Sequence, residues 1–211
     1  MTQKDRICLR ILHAAKERFS HYGYCKTTMS EIAQDCNMSP GNLYRYFQGK
    51  LDIAEGIAAA HTDKRLEKAR EIVRDPAKPA LVRLRDFLFD ELRSTFKLLD
   101  EDPRVFEIAE IIAKERPEFG NQQLSKERSL MSEILAAGAA NGEFDIQDVV
   151  ETAEMIQSAT IKFRFPQLYS QLTLDKLEHE LNGVLKILFH GLTCRSHPIA
   201  VAADVPVSPS P

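Results

Sequence analysis

Apolar side chains recur along this chain at intervals of three and four residues, and no segment alternates apolar and polar one by one. That periodicity predicts helices throughout and no strands. The first helix is expected from about Asp5 to Tyr22, where Ile7, Ile11, Ala14, Ala15, Arg18 and Phe19 fall near one face and Gly23 supplies a left-handed stop. A second starts at Thr28 and runs only to about Cys36. Thr28 and Glu31 have the spacing of a capping box, and Asn37 suits the left-handed turn that follows. A third opens at once, with Ser39 as N-cap and Pro40 in the first helical position, and is expected to end near Phe47–Gly49. From Lys50 a longer helix continues to about Arg74, stopped by Asp75-Pro76 and Lys78-Pro79. Further amphipathic stretches lie at about 80–99, 103–114, 118–141, 146–164 and 173–193, separated by Asp102-Pro103, Arg116-Pro117, Asn141-Gly142 and Phe165-Pro166. Residues 195–211, RSHPIAVAADVPVSPSP, hold too many prolines for a helix and too little to bury, so they are expected to form a flexible tail.

Composition adds bounds to this all-α picture. With 211 residues, 44% hydrophobic and 28% charged, the chain has the balance of a soluble globular protein. No apolar run is long enough to span a bilayer, and MTQKDRICLR has no signal-peptide core, so a cytoplasmic location without membrane contact is the expectation. Cys8, Cys25, Cys36 and Cys194 are widely spaced, which favours reduced, mostly buried thiols over a metal site. His61, His179 and His190 form no metal-spaced set, and no catalytic or phosphate-loop motif is present, so neither metal, cofactor nor enzymatic activity is expected. The net charge of −3 is unevenly spread. Residues 1–56 hold eight Lys/Arg against six Asp/Glu, whereas residues 57–211 hold twenty against twenty-five. A mildly basic head on an acidic body favours phosphate at one end only.

That head contains the most informative arrangement. Two short helices joined by a three-residue turn have helix-turn-helix geometry. Ile32, Ala33, Cys36, Met38, Leu43 and Phe47 form one small core with Phe19, and Ala33 lets the two helices cross closely. Pro40, Gly41, Asn42, Tyr44, Arg45 and, near the helix end, Tyr46 are left facing outward. Arg donates bidentately to guanine, and Asn pairs with adenine, so this face suits a DNA groove. Geometry alone also fits a helical protein-interaction module whose helix-turn-helix is purely structural.

The string GYCKTTMSEIAQDCNMSPGNLYRYFQGKLDI resembles the DNA-binding signature of the TetR family of bacterial transcriptional regulators. The resemblance covers residues 6–56 with the first helix included. It implies that Thr27 or Thr28, Tyr46 and Lys50 contact phosphate, and that Ser39, Pro40, Gly41, Asn42, Tyr44 and Arg45 face the major groove of a double-stranded operator. Cys36 stands where a small apolar residue is more usual. The implied architecture is a three-helix DNA-binding domain at residues 1–50, followed by a larger helical effector-binding and dimerisation domain at 51–194.

For the larger domain the implied function is a homodimeric repressor released from its operator by a small molecule. The apolar faces of 146–164 and 173–192 are wide enough for a four-helix interface with a second copy. Phe87, Phe96, Phe106, Ile134 and Phe163 are candidates to line the effector cavity, with Leu88, Leu92, Ile112 and Leu130 beside them. Glu107, Glu110 and Arg128 are candidates for its polar selectivity.

Overall fold

The computed structural model describes residues 2–165 and 172–193, and these form helices and connecting turns without a strand among the described residues. The helices are α1 (Gln3–Tyr22), α2 (Met29–Asp35), α3 (Pro40–Leu43), α4 (Lys50–Val73), α5 (Ala80–Glu101), α6 (Arg104–Glu115), α7 (Pro117–Ala140), α8 (Val149–Ala159), α9 (Ile161–Arg164) and α10 (Leu174–Thr193). None of them is long and apolar enough to cross a membrane. The expected tail at 195–211 and Cys194 lie outside the described residues.

Local chemistry accounts for the helix ends. Thr2 caps α1 in a reciprocal box with Asp5, which starts the helix two residues before the expected Asp5. Gly23 ends α1 with a positive φ of 90° but an extended ψ of 152°, so its backbone is not the left-handed helical one expected. Asn37, at φ 51°, does adopt the left-handed turn between α2 and α3. Asp148 caps α8 by accepting from the amides of Val150 and Glu151, so that helix begins after, not at, residue 146. The expected single helix over 146–164 is also broken at Thr160. There the hydroxyl donates back to the Ile156 carbonyl at 2.8 Å, competing with the helical ladder.

Two apolar cores form. The head core joins Ile11, Ala15 and Phe19 of α1 with Met29, Ile32, Ala33, Cys36, Leu43, Ile53, Ala54 and Ile112. The body core joins Leu66, Ala69 and Val73 of α4 to α5, α7, α8, α9 and α10, and includes Phe87, Ile134, Leu135, Phe163, Leu181 and Leu185. Helix α4 therefore belongs to both cores, its first turns to the head and its last to the body. The expected division at residue 50 falls at the start of this shared helix. Ile112 belongs to the head core rather than to an effector site, because α6 packs against the head.

Polar contacts tie the same joint. Arg104 Nη1 donates to the Ser20 carbonyl at 2.7 Å, and Ser20 Oγ hydrogen-bonds Asp102. Arg116 pairs with Asp52 at 3.4 Å and Glu55 at 3.2 Å, both on the first turns of α4.

One close approach in the body depends on a glycine. A Cβ built on Gly138 would fall within the Phe144 ring and 2.8 Å from Ala80 Cβ. The missing side chain lets the turn after α7 fold back, with the amides of Glu143 and Phe144 donating to the Gly138 carbonyl at 2.8 and 3.2 Å. Glu143 then accepts from the Ala80 amide at 2.7 Å, anchoring the start of α5.

Candidate nucleic-acid interface

The interface is built on α2, the turn at Asn37 and α3. Thr28 caps α2: its hydroxyl accepts from the Glu31 amide at 3.3 Å, while Glu31 accepts from the Thr28 amide at 2.8 Å. Those hydrogen bonds hold the Glu31 carboxyl below its ordinary pKa. Ser39 Oγ accepts from the Asn42 amide at 3.2 Å, with Pro40 at the first helical position. Ile32, Ala33, Cys36 and Leu43 are fully or almost fully buried beneath the two helices, with Met38 and Phe47 packed at the edge.

Helix α3 is shorter than expected. Its regular turn ends at Leu43, and residues 44–46 continue as turns rather than helix to Phe47–Gly49. The Arg45 and Tyr46 amides donate to carbonyls three residues back, those of Asn42 and Leu43, which tightens the spiral.

This tight segment sets out the expected groove residues. Pro40, Gly41, Tyr44 and Arg45 are exposed, and Asn42 is half-buried. The side chains of Asn42, Tyr44 and Arg45 make no hydrogen bond or ion pair inside the chain, so their polar groups are uncommitted. Ser39 is exposed, but its hydroxyl serves the cap. Tyr46 is half-buried against the head core.

Arg18 lies elsewhere on the head and is fully committed. It grips Asp35 at 2.6 and 2.8 Å, reaches Glu31 at 3.4 Å and lies 5.2 Å from the centre of the Tyr22 ring. Its hydrogen bonds to Asp35 hold that carboxyl below its ordinary pKa. The fork ties α1 to α2 and so sets the angle at which α3 is presented.

Three expected phosphate contacts have other partners. Thr27 is 2% exposed and its hydroxyl donates to the Gly23 carbonyl at 2.9 Å, so its side chain is not available to a ligand. The Thr28 hydroxyl donates to Glu31 Oε2 at 2.8 Å in addition to capping α2. Lys50 Nζ donates to the carbonyls of Tyr24 at 2.6 Å and Thr27 at 2.8 Å, and sits 4.3 Å from the centre of the Tyr24 ring. Tyr24 in turn packs edge-on against Phe19, 5.2 Å away. Lys50 is thus a clamp that closes the α1–α2 loop onto α4. The sequence carried its signal in the aromatic Tyr24, yet spacing alone could not bring residues 24 and 50 together.

The cysteines divide by environment. Cys36 is buried, and burial raises its thiol pKa above the ordinary value. Cys8 is half-buried, and Cys25 is exposed, contrary to the expectation of mostly buried thiols, because it lies on the α1–α2 loop.

A short capped helix pair that buries its inner face, presents an uncommitted Asn/Tyr/Arg edge and sits on a separate helical body is the framework of helix-turn-helix DNA-binding regulators. Comparison with known proteins makes the assignment particular. Residues 11–57 match the model of bacterial regulatory proteins of the tetR family, and residues 80–185 match the tetracyclin repressor-like C-terminal domain. The chain belongs to the TetR family of bacterial transcriptional regulators. The HTH-type transcriptional regulator UidR of Escherichia coli K12 is 37% identical over 62 residues, which are 29% of this chain and 32% of UidR. The chain therefore matches about a third of that relative's length. The fatty acid metabolism regulator protein of Bacillus subtilis is 25% identical over 206 residues, covering 91% of this chain and 98% of that one. The solved structure of FadR from Bacillus subtilis, in complex with stearoyl-CoA, shares the fold with a TM-score of 0.60 at 22% identity, over 87% of this chain and 98% of the other.

Proposed function

We propose that this regulator is a homodimeric repressor that reads its operator with α3 and releases it when a small molecule binds in the helical body, residues 51–194. The observation that carries the reading is the uncommitted Asn42, Tyr44 and Arg45 edge, held outward by a buried inner face. In this reading Pro40, Gly41, Asn42, Tyr44 and Arg45 approach base edges. Ser39, Thr28 and Tyr46 position the backbone near phosphate, and Lys50 holds the loop that orients them.

The second copy is expected on α8 and α10. Val150, Met155 and Ile187 are 62%, 56% and 76% exposed, while Ala153, Ile156, Leu181 and Leu185 on the same helices are buried within the chain. Apolar side chains on two outer faces support a symmetric helical interface. A dimer also presents two α3 segments to paired half-sites about one turn of DNA apart.

The effector reading rests on the body. Phe87, Ile134 and Phe163 share one core with Phe96 packed against it, whereas Phe106 on α6 lies outside both cores. Helix α4 runs from that core into the head, so a ligand that prefers one arrangement of the body changes the set of the heads. FadR from Bacillus subtilis binds stearoyl-CoA in its solved complex. Here the proposed effector is an amphipathic small molecule.

Fluorescence anisotropy on DNA flanking the protein's own gene tests the proposal. Salt-sensitive, sequence-selective binding that an apolar ligand reverses is expected. Binding without sequence preference, or a partner protein captured at high salt with no DNA binding, would favour the interaction-module alternative.

A further inference from the structure

The body holds an ionic cluster that none of the DNA-facing chemistry uses. Glu127 on α7, 1% exposed, bridges Arg65 of α4 and Arg164 of α9 in close ion pairs. Arg164 also donates to Glu91 Oε1 on α5 at 2.6 Å, and Arg65 lies 4.0 Å from the same oxygen. Gln123, one turn before Glu127 on the same face of α7, is 6% exposed. Apolar core residues flank every member: Leu66, Leu88, Leu92, Leu130, Met131 and Phe163.

The cluster balances in charge but not in hydrogen bonds. Two guanidinium groups face two carboxylates, yet Arg65 Nη1, Arg164 Nε and Gln123 Oε1 are buried without a partner. Buried polar groups are nearly always satisfied, so three orphans in one place call for a reason. Two of them are N–H groups on cations, the strongest donors a protein has. A ligand bringing a full negative charge would unbalance a site already neutral and desolvated. An uncharged oxygen acceptor satisfies the donors without that cost.

We infer that this cluster is the polar end of the effector site and that it recognises the uncharged carbonyl of an apolar molecule, such as a ketone, ester or thioester. The inference rests on the effector reading above and adds the ligand's class. The apolar part of the ligand lies among the flanking leucines and phenylalanines. Because Arg65 belongs to α4, a carbonyl that draws on its free Nη1 acts on the helix that enters the head.

The test uses the full-length protein and three probes of equal chain length: 2-decanone, decanoate and decane. Binding is measured by calorimetry. The ketone is expected to bind about tenfold or more tightly than either of the others. Arg164→Lys and Arg65→Lys keep the charge but remove the free donors. Each is expected to abolish the ketone's advantage over decane, with folding checked by circular dichroism. The comparison of the three probes in the wild-type protein decides the matter even if a variant fails to fold. Equal affinity for ketone and decane overturns the inference, as does tightest binding of decanoate or no binding by any probe. Operator affinity is followed in the same preparations. Release by an effector that binds both lysine variants unchanged would leave the repressor reading standing and remove this site.

Discussion

Removing the Lys50 ammonium separates a clamp from a simple phosphate contact. Lys50→Met keeps most of the apolar stem and deletes the charge that bridges the Tyr24 and Thr27 carbonyls at 2.6 and 2.8 Å. Hydrogen bonds to charged groups contribute about 1.5–3 kcal/mol each when buried. Lys50 is only half-buried, so water returns much of that when the ammonium is gone. Adding about 0.5–1 kcal/mol for the cation over the Tyr24 ring gives a net loss of roughly 1–3 kcal/mol. For a chain of this size that lowers the thermal midpoint by roughly 3–10 °C. The assay is thermal unfolding without DNA, followed by circular dichroism, alongside operator affinity. Both stability and affinity are expected to fall, because the loop that Lys50 closes also carries the cap of α2. An unchanged midpoint together with a salt slope reduced by about 0.9 would refute the clamp and identify a bare phosphate contact.

Other consequences of the structure are open to the same instruments. Gly120 and Gly138 both lie in α7, yet an added Cβ at Gly120 meets nothing within 4 Å, whereas at Gly138 it meets Phe144 and Ala80. Gly120→Ala is expected to stabilise by up to about 1 kcal/mol through helix propensity, and Gly138→Ala to destabilise by about 1–3 kcal/mol through overpacking; urea unfolding midpoints moving in the same direction would contradict this. Burial raises the Asp90 carboxyl pKa, although neighbouring Arg65 opposes the shift. The stability this group contributes is present below its unfolded pKa and lost as pH rises through the higher folded one. Asp90→Asn is therefore expected to gain stability relative to wild type between pH 4 and 7, and a difference that stays flat across that range would remove the argument.

The head was largely legible before any coordinates, because local chemistry sets it. The Thr28–Glu31 box, Ser39-Pro40 and the left-handed Asn37 are short-range devices, and each occurs as expected. The length of α3 was not legible, since the tightening after Leu43 arises where Tyr46 and Phe47 pack onto the head core. Partner choice across long separations was equally hidden. A lysine in a DNA-binding signature reads as a phosphate contact until Tyr24 and Thr27 are seen to occupy it. In the body, periodicity located the helices to within a few residues but could not distinguish a wall of a cavity from ordinary core. Phe87, Ile134 and Phe163 pack together, while Ile112 was drawn into the head by the position of α6. Glu91, Glu127 and Arg164 looked like polar positions beside apolar faces, and only the convergence of α4, α5, α7 and α9 makes them a cluster.

The most direct measurement is the affinity of wild type and Arg45→Ala for operator and for scrambled DNA, across a range of salt concentrations. Arg45 is exposed and makes no ion pair, so its loss should leave the unfolding midpoint unchanged. The account predicts a salt-dependent preference for operator in the wild type, with about 1–3 kcal/mol of that preference lost in the variant. Equal affinity of the wild type for both DNAs, or an Arg45→Ala protein as selective as the wild type, would contradict it.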